Sequence, residues 1–339
     1  MTISLQQYQD RIKKIYNAVN WNTDDIEGVL LEQQQTQFWK ESDVAVSGDL
    51  SIWKHFEHKD TYKHVLAGLT LLDTLQSRVG MLELAKATPD DREASLYITF
   101  AYFEVIHAKS YSRIFTTLCT NPEIDELFEW VKENKYLQYK ANTIAKYYEN
   151  IDSENLVSRW KAKFMSVMLE SFLFYSGFFY PLWCAGNGQL KNSAEIINMI
   201  IRDEALHGVS VGLKAQQEFE TLSIETQNEL KTWGYGVLLD LYENECSYTE
   251  EVYDGTGLSE EVKSYVRYNA NKALANLGWD AIFPEEPVNA IVLNGITTQG
   301  STMDFFSQKG LYTMAKMGVI NKKTFDFSHI KKNRRNFVK

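Results

Sequence analysis

A carboxylate and an imidazole three residues apart occur twice in this chain, each time some thirty residues after a lone acid. Glu104-Val-Ile-His107 follows Asp73 by 31 positions, and Glu204-Ala-Leu-His207 follows Glu170 by 34. Residues i and i+3 share one face of a helix, so each pair can aim both side chains inward. Four carboxylates and two imidazoles converging from four helices form the ligand set of dinuclear iron and manganese centres in helix bundles, here with Asp in place of one lone Glu. The pattern therefore demands four helices side by side, their ligand-bearing stripes turned toward a common axis.

The rest of the chain reads as helical too, and the expected class is all-α. Five prolines and 18 glycines in 339 residues leave room for long uninterrupted helices. Over 61–79, Val65, Leu66, Leu69 and Leu72 make an apolar stripe that Asp73 continues. Thr88-Pro-Asp-Asp91 opens a helix that carries Glu104, His107 and Tyr111 to about Leu118, where Asn121-Pro122 is expected to end it. Short amphipathic helices follow over 123–132 and 137–149. A long helix over 154–184 carries Glu170 and stops at Ala185-Gly-Asn-Gly188. Another over 193–218 carries Glu204 and His207, with two more over 224–253 and 259–277. From Thr297 the chain turns rich in Gly, Ser, Thr and Lys, so residues 1–296 read as one domain and 297–339 as a flexible tail.

Bulk properties exclude several classes. A net charge of −10 argues against a nucleic-acid partner. Cys119, Cys184 and Cys246 are odd in number and form no CxxC, so neither a disulfide framework nor a zinc knuckle is indicated. The first residues lack the basic and apolar regions of a signal peptide, and the apolar run 172–185 is too short to span a bilayer. The expected setting is cytoplasmic, with no membrane partner. No G-x-x-x-x-G-K-[ST] loop for phosphate is present.

The bland reading of the four acids is that they are solvated or helix-stabilising charges. Their neighbours oppose it: Glu104 lies in Phe100-Ala-Tyr-Phe-Glu-Val-Ile106, and Glu170 in Val167-Met-Leu-Glu-Ser-Phe-Leu-Phe174. Bare carboxylates buried in such helices are costly, and a divalent cation removes that cost. Carboxylate-rich ligation favours iron or manganese over zinc or copper.

These segments resemble a known family, the radical-generating small subunit of class I ribonucleotide reductase, over roughly residues 37–312. The resemblance is carried by Leu71-Leu-Asp-Thr74, Glu104-Val-Ile-His-Ala-Lys-Ser-Tyr111, Leu169-Glu-Ser-Phe-Leu-Phe-Tyr-Ser-Gly177 and Ile201-Arg-Asp-Glu-Ala-Leu-His-Gly208. The His-Ala-Lys-Ser-Tyr wording is most similar to the class Ib branch, which uses manganese and also accepts iron. The resemblance implies a ferritin-like helical bundle, with Asp73, Glu104 and His107 holding one ion and Glu170, Glu204 and His207 the other, some carboxylates bridging. It makes Tyr111 the radical carrier, walled by Phe174, Phe178 and Ile200. It places Trp39, Asp203 and His107 in a hydrogen-bonded relay and makes Tyr312 the relay in the tail. The tail departs from the family by being basic, with Lys322-Lys323 and Lys331-Lys-Asn-Arg-Arg335 around Phe325-Asp-Phe327.

The implied partners are a second copy of the chain, the large reductase subunit and a flavodoxin-like activating protein for manganese. Two rival readings share the six ligands: a ferritin-like ferroxidase or metal-storage protein, and a ligand-binding dimetal oxidase. The first needs neither Tyr111 nor the Trp39–Asp203 relay. The second needs an open apolar channel and leaves Tyr312 without purpose.

Overall fold

The computed structural model describes residues 18–21 and 25–297, and every regular element among them is helical. Helix α1 spans Ile26–Thr36, and a 3-10 turn at Val46–Asp49 and a single helical turn at Leu50–Trp53 follow it. Helix α2 runs over Lys59–Leu75, widens into a π turn at Gln76–Gly80 and finishes as Met81–Ala87. Then come α3 (Asp91–Leu118), α4 (Asn121–Glu133) and α5 (Lys135–Glu149). Helix α6 is built of Leu156–Met168, a π turn at Leu169–Leu173, and Tyr175–Gly186. Helices α7 (Lys191–Phe219), α8 (Ile224–Val252), α9 (Ser259–Asn276) and α10 (Ala290–Thr297) complete the order. No described helix is long and apolar enough to cross a membrane.

The centre is formed by α2, α3, α6 and α7, with α2 against α3 and α6 against α7. Their starts are set by short polar side chains. Asp90 accepts from the amides of Arg92 and Glu93 to open α3, and Asn155 accepts from Val157 and Ser158 to open α6. Helix α7 begins after the left-handed Leu190, which offers no cap. Asp49, far away in sequence, takes that place: its carboxylate accepts from the backbone amides of Asn192 (3.1 Å) and Ser193 (2.7 Å).

Three details differ from the expectations. Pro122 does not end α3; it sits in the first turn of α4, behind a Thr120–Glu123 capping box, where a missing N–H costs nothing. Helices α1 and α10 were not anticipated. Helix α6 is not one continuous α-helix, because Leu169–Leu173 is a π turn. Helix α10 lies across α6 at a glycine crossing: a Cβ on Gly186 would stand 2.0 Å from the Ile291 carbonyl oxygen, and one on Gly295 2.0 Å from that of Leu182. It extends one residue into the expected tail. The remainder of that tail, Tyr312 included, lies outside the described residues.

One end of the bundle is tied by buried ion pairs. Lys163 of α6 lies 2.6 Å from Glu93 of α3 and 2.9 Å from Glu218 of α7. Lys214 of α7 lies 2.6 Å from Glu27 of α1 and 3.3 Å from Glu93. Arg159 approaches Glu218 at 3.4 Å, and the Tyr97 hydroxyl donates to Glu93 at 2.8 Å. This network fixes α1 against the three central helices, which matters because α1 and the segment after it carry groups that reach the site.

Candidate metal centre

Asp73 comes from α2, Glu104 and His107 from α3, Glu170 from the π turn of α6, and Glu204 and His207 from α7. All six are fully buried. They fall into two groups able to hold an ion: Asp73, Glu104, His107 and Glu204, and Glu104, Glu170, Glu204 and His207. Within each group the ligand atoms lie within 4.8 Å of one another. Glu104 and Glu204 belong to both, so these two carboxylates are the ones placed to bridge. The cross-connection is direct. His107 Nδ1 is 2.9 Å from Glu204 Oε1, while His207 Nδ1 is 2.9 Å from Glu104 Oε1.

The donor atoms are arranged so that they could hold two cations. Both oxygens of Asp73, Glu104 and Glu204, Oε2 of Glu170 and Nδ1 of both imidazoles are buried without hydrogen-bond partners among the described residues. So many orphaned acceptors in a dry interior would carry a large desolvation cost, and divalent ions on the shared atoms relieve it. Carboxylate oxygens and imidazole nitrogens without thiolate match iron or manganese. Burial, then the charges of neighbouring carboxylates, push Asp73 and Glu170 well above the usual carboxyl range. Glu204 goes the other way: burial would raise it, but Glu170 and both histidines hold it down. Burial opposes the charged form of His107 and His207, yet the surrounding carboxylates raise both.

Around this centre the two histidines are supported differently. His107 Nε2 lies 3.2 Å from Asp203 Oδ2, the oxygen that also accepts from Trp39 Nε1 at 2.7 Å. Trp39 is buried and stacks on the His107 ring at 6.0 Å. Gln34 of α1 donates to Asp203 Oδ1 at 3.2 Å. His207 instead packs against the Phe100 ring at 4.2 Å, and its Nε2 has no hydrogen-bond partner among the described residues.

Tyr111, one turn past His107, is fully buried. Burial first, then the charge of nearby Asp73, drives its phenol well above the ordinary range. Phe174 and Phe178 stand one and two turns beyond Glu170 with ring centres 5.8 Å apart, and Ile200 stands one turn before Glu204; all three are fully buried.

Two contacts escaped the sequence reading. Gln34 lies in Gln33-Gln-Gln35, where nothing singles out one amide. Gln76 donates from Nε2 to Glu170 Oε1, and at 3.2 Å to Ser166 Oγ. It had a signal: it is three residues beyond Asp73 and four beyond Leu72, on the same stripe.

The family model described as the ribonucleotide reductase small chain matches residues 18–290. This chain belongs to that family. Ribonucleoside-diphosphate reductase subunit beta of Bacillus phage SPbeta is 50% identical over 302 residues, covering 88% of this chain and 92% of the relative. The Escherichia coli protein called ribonucleoside-diphosphate reductase 2 subunit beta is 39% identical over 308 residues, covering 88% and 95%. The crystal structure of Streptococcus sanguinis dimanganese(II)-NrdF superposes with a TM-score of 0.80 at 47% identity, over 84% of this chain and all of that one. The small-chain resemblance read from the motifs, class Ib branch included, is the one these relatives carry. The ferritin-like, all-α expectation holds as well.

Proposed function

We propose that this reductase small chain generates a radical on Tyr111 and passes it to the large subunit that reduces ribonucleoside diphosphates. The observation carrying this reading is the double group of buried ligand atoms with Glu104 and Glu204 in common, set one helical turn from a buried tyrosine. Asp73, Glu104, His107, Glu170, Glu204 and His207 would hold two ions, manganese in the first instance by likeness to the dimanganese relative. Bound there and activated by an oxidant, the ions would supply the one-electron oxidation of Tyr111.

The chain's own residues do the rest. Because burial disfavours the phenolate, the Tyr111 proton would leave with the electron, and Asp73 is the carboxylate whose charge bears most on the phenol. Phe174, Phe178 and Ile200 supply apolar bulk against water and stray reductants. Asp203 fixes the ring of His107 and links it to Trp39, a row of hydrogen bonds suited to moving an electron and a proton outward. Tyr312 would continue that route across the subunit interface. A storage or ferroxidase role would have no use for this row.

For partners, the large subunit receives the radical, and a flavodoxin-like protein would deliver the oxidant needed by manganese. A second copy of the chain is supported by the outer face of α3. There Ile98, Tyr102 and Val105 form a stripe about half exposed, and Phe38 stacks on Tyr102. Sedimentation of Tyr102→Glu tests this, with monomer expected; an unchanged dimer would move the interface elsewhere.

Electron paramagnetic resonance tests the main reading. Protein loaded with manganese and treated with the flavodoxin partner, or loaded with iron and exposed to oxygen, should give a tyrosyl signal. Tyr111→Phe should lose it while keeping its metal. A signal that survives the substitution removes Tyr111 from the mechanism.

A further inference from the structure

The two π turns of the bundle accompany the two lone carboxylates. Asp73 lies three residues before the turn Gln76–Gly80, and Glu170 lies inside the turn Leu169–Leu173. A π turn carries one residue more than an α turn and so changes which side chains face inward. In α2 the buried residue that opens the wide turn is Gln76. Its amide spans to the other lone carboxylate, donating to Glu170 Oε1, with Ser166 Oγ as its second acceptor.

Only the NH2 end of an amide can meet a carboxylate oxygen, so this contact fixes the orientation of the whole group. The other end is accommodated with equal care. A Cβ on Gly80 would stand 2.1 Å from Gln76 Oε1 and 2.7 Å from the Tyr148 ring, so glycine at the end of the π turn leaves the room in which the amide sits. Of the two Glu170 oxygens, Oε1 is thus occupied by Gln76. Oε2 has no hydrogen bond and faces His207 Nδ1 at 3.6 Å.

We infer that Gln76 is a positioning residue: by holding Glu170 Oε1 it leaves that ligand a single free oxygen for the ion on the His207 side. This rests on the reading of the six buried residues as ligands to two ions. The consequence is selective. Asp73, on the same helix face, serves the other ion and makes no contact with Gln76 that depends on the amide. Losing the amide should loosen one ion and leave the other in place.

The test is a manganese titration of metal-free protein, followed by the resonance of free aqueous Mn(II), with thermal melts of the metal-free forms alongside. Wild type should take up two ions. Gln76→Met keeps the bulk and removes the donor; one of its two affinities should fall about 10- to 100-fold, the usual effect of deleting a group that orients a ligand. The other should stay within about twofold. Gly80→Ala, which keeps the amide but crowds it, should show the same selective loss to a smaller degree and serves if the Met variant does not fold. Unchanged affinities in both variants overturn the inference. So does an equal loss of both ions with a lowered melt, which would make Gln76 a structural bridge between α2 and α6. Failure of wild type to bind two ions would instead sink the ligand assignment itself.

Discussion

Helices α3, α6 and α7 bury two polar clusters, and the clusters differ in whether their charges cancel. Three turns before Glu104, Glu93 joins Glu27 and Glu218 in facing Lys163, Lys214 and Arg159, three acids against three cations. Around Glu104 itself four carboxylates face two imidazoles, and most of their donor atoms are left without hydrogen bonds. The first cluster closes on itself and serves as a clamp. The second leaves acceptors over, which cations from outside would satisfy. One set of helices thus builds a fastening and a receptor from the same residue types, and charge balance separates the two.

Substitutions should widen that contrast. The largest effect is expected from Glu104→Ala. Because this carboxylate belongs to both ligand groups, elemental analysis should find both ions lost, with manganese affinity down by more than about 100-fold. The metal-free melt should not fall, since the variant removes an unbalanced buried charge; a variant that still loads two ions would refute the bridging position. Glu93→Ala should behave oppositely. It breaks a balanced buried network and should cost about 3 kcal/mol in urea unfolding, the low end for such losses because each lysine keeps a second glutamate. Its two manganese affinities should stay near those of wild type. A stability unchanged by this substitution would show that the clamp contributes little.

A smaller effect lies in the pH dependence. Burial tends to raise the Glu93 carboxyl, but Lys163 and Lys214 overcome it and hold the group below its usual 4.5. A carboxyl depressed in the folded state contributes stability that is present above pH 4.5 and disappears as pH falls through the folded value. Between pH 6 and pH 3 the urea midpoint of metal-free wild type should therefore drop more steeply than that of Glu93→Gln. Parallel curves would mean that the ion pairs do not set the acid limb.

The receptor was far more legible in the sequence than the clamp. Paired Glu-x-x-His motifs inside apolar helices single out candidate ligands, because bare carboxylates among Phe100, Phe103 and Ile106 are costly to bury. Glu93 sits in the first turn of α3, where an acid is ordinary, and Lys163 and Lys214 read as the polar edge of amphipathic helices. Their meaning depends on meeting across three helices. The π turn of α6 was hidden for another reason. Residues 172–185 are apolar on every side, so the hydrophobic period that would betray a shift of register is missing. Pro122 misled because proline, which breaks a helix interior, is equally at home in the first turn of a helix.

The wide turn over Leu169–Leu173 has a genetic corollary. It amounts to an α-helix with one amino acid inserted, and each residue advances a helix by about 100°. Loss of a single codon just after Glu170 would close that turn to an ordinary α turn, so that Tyr175 to Gly186 keep their places while the residues of the turn itself are re-aimed. Gly186 would stay beside the Ile291 carbonyl, and the crossing with α10 would survive. Such a frame-preserving deletion should be far better tolerated here than one in the α-helical turns on either side, where every later residue would rotate about the axis.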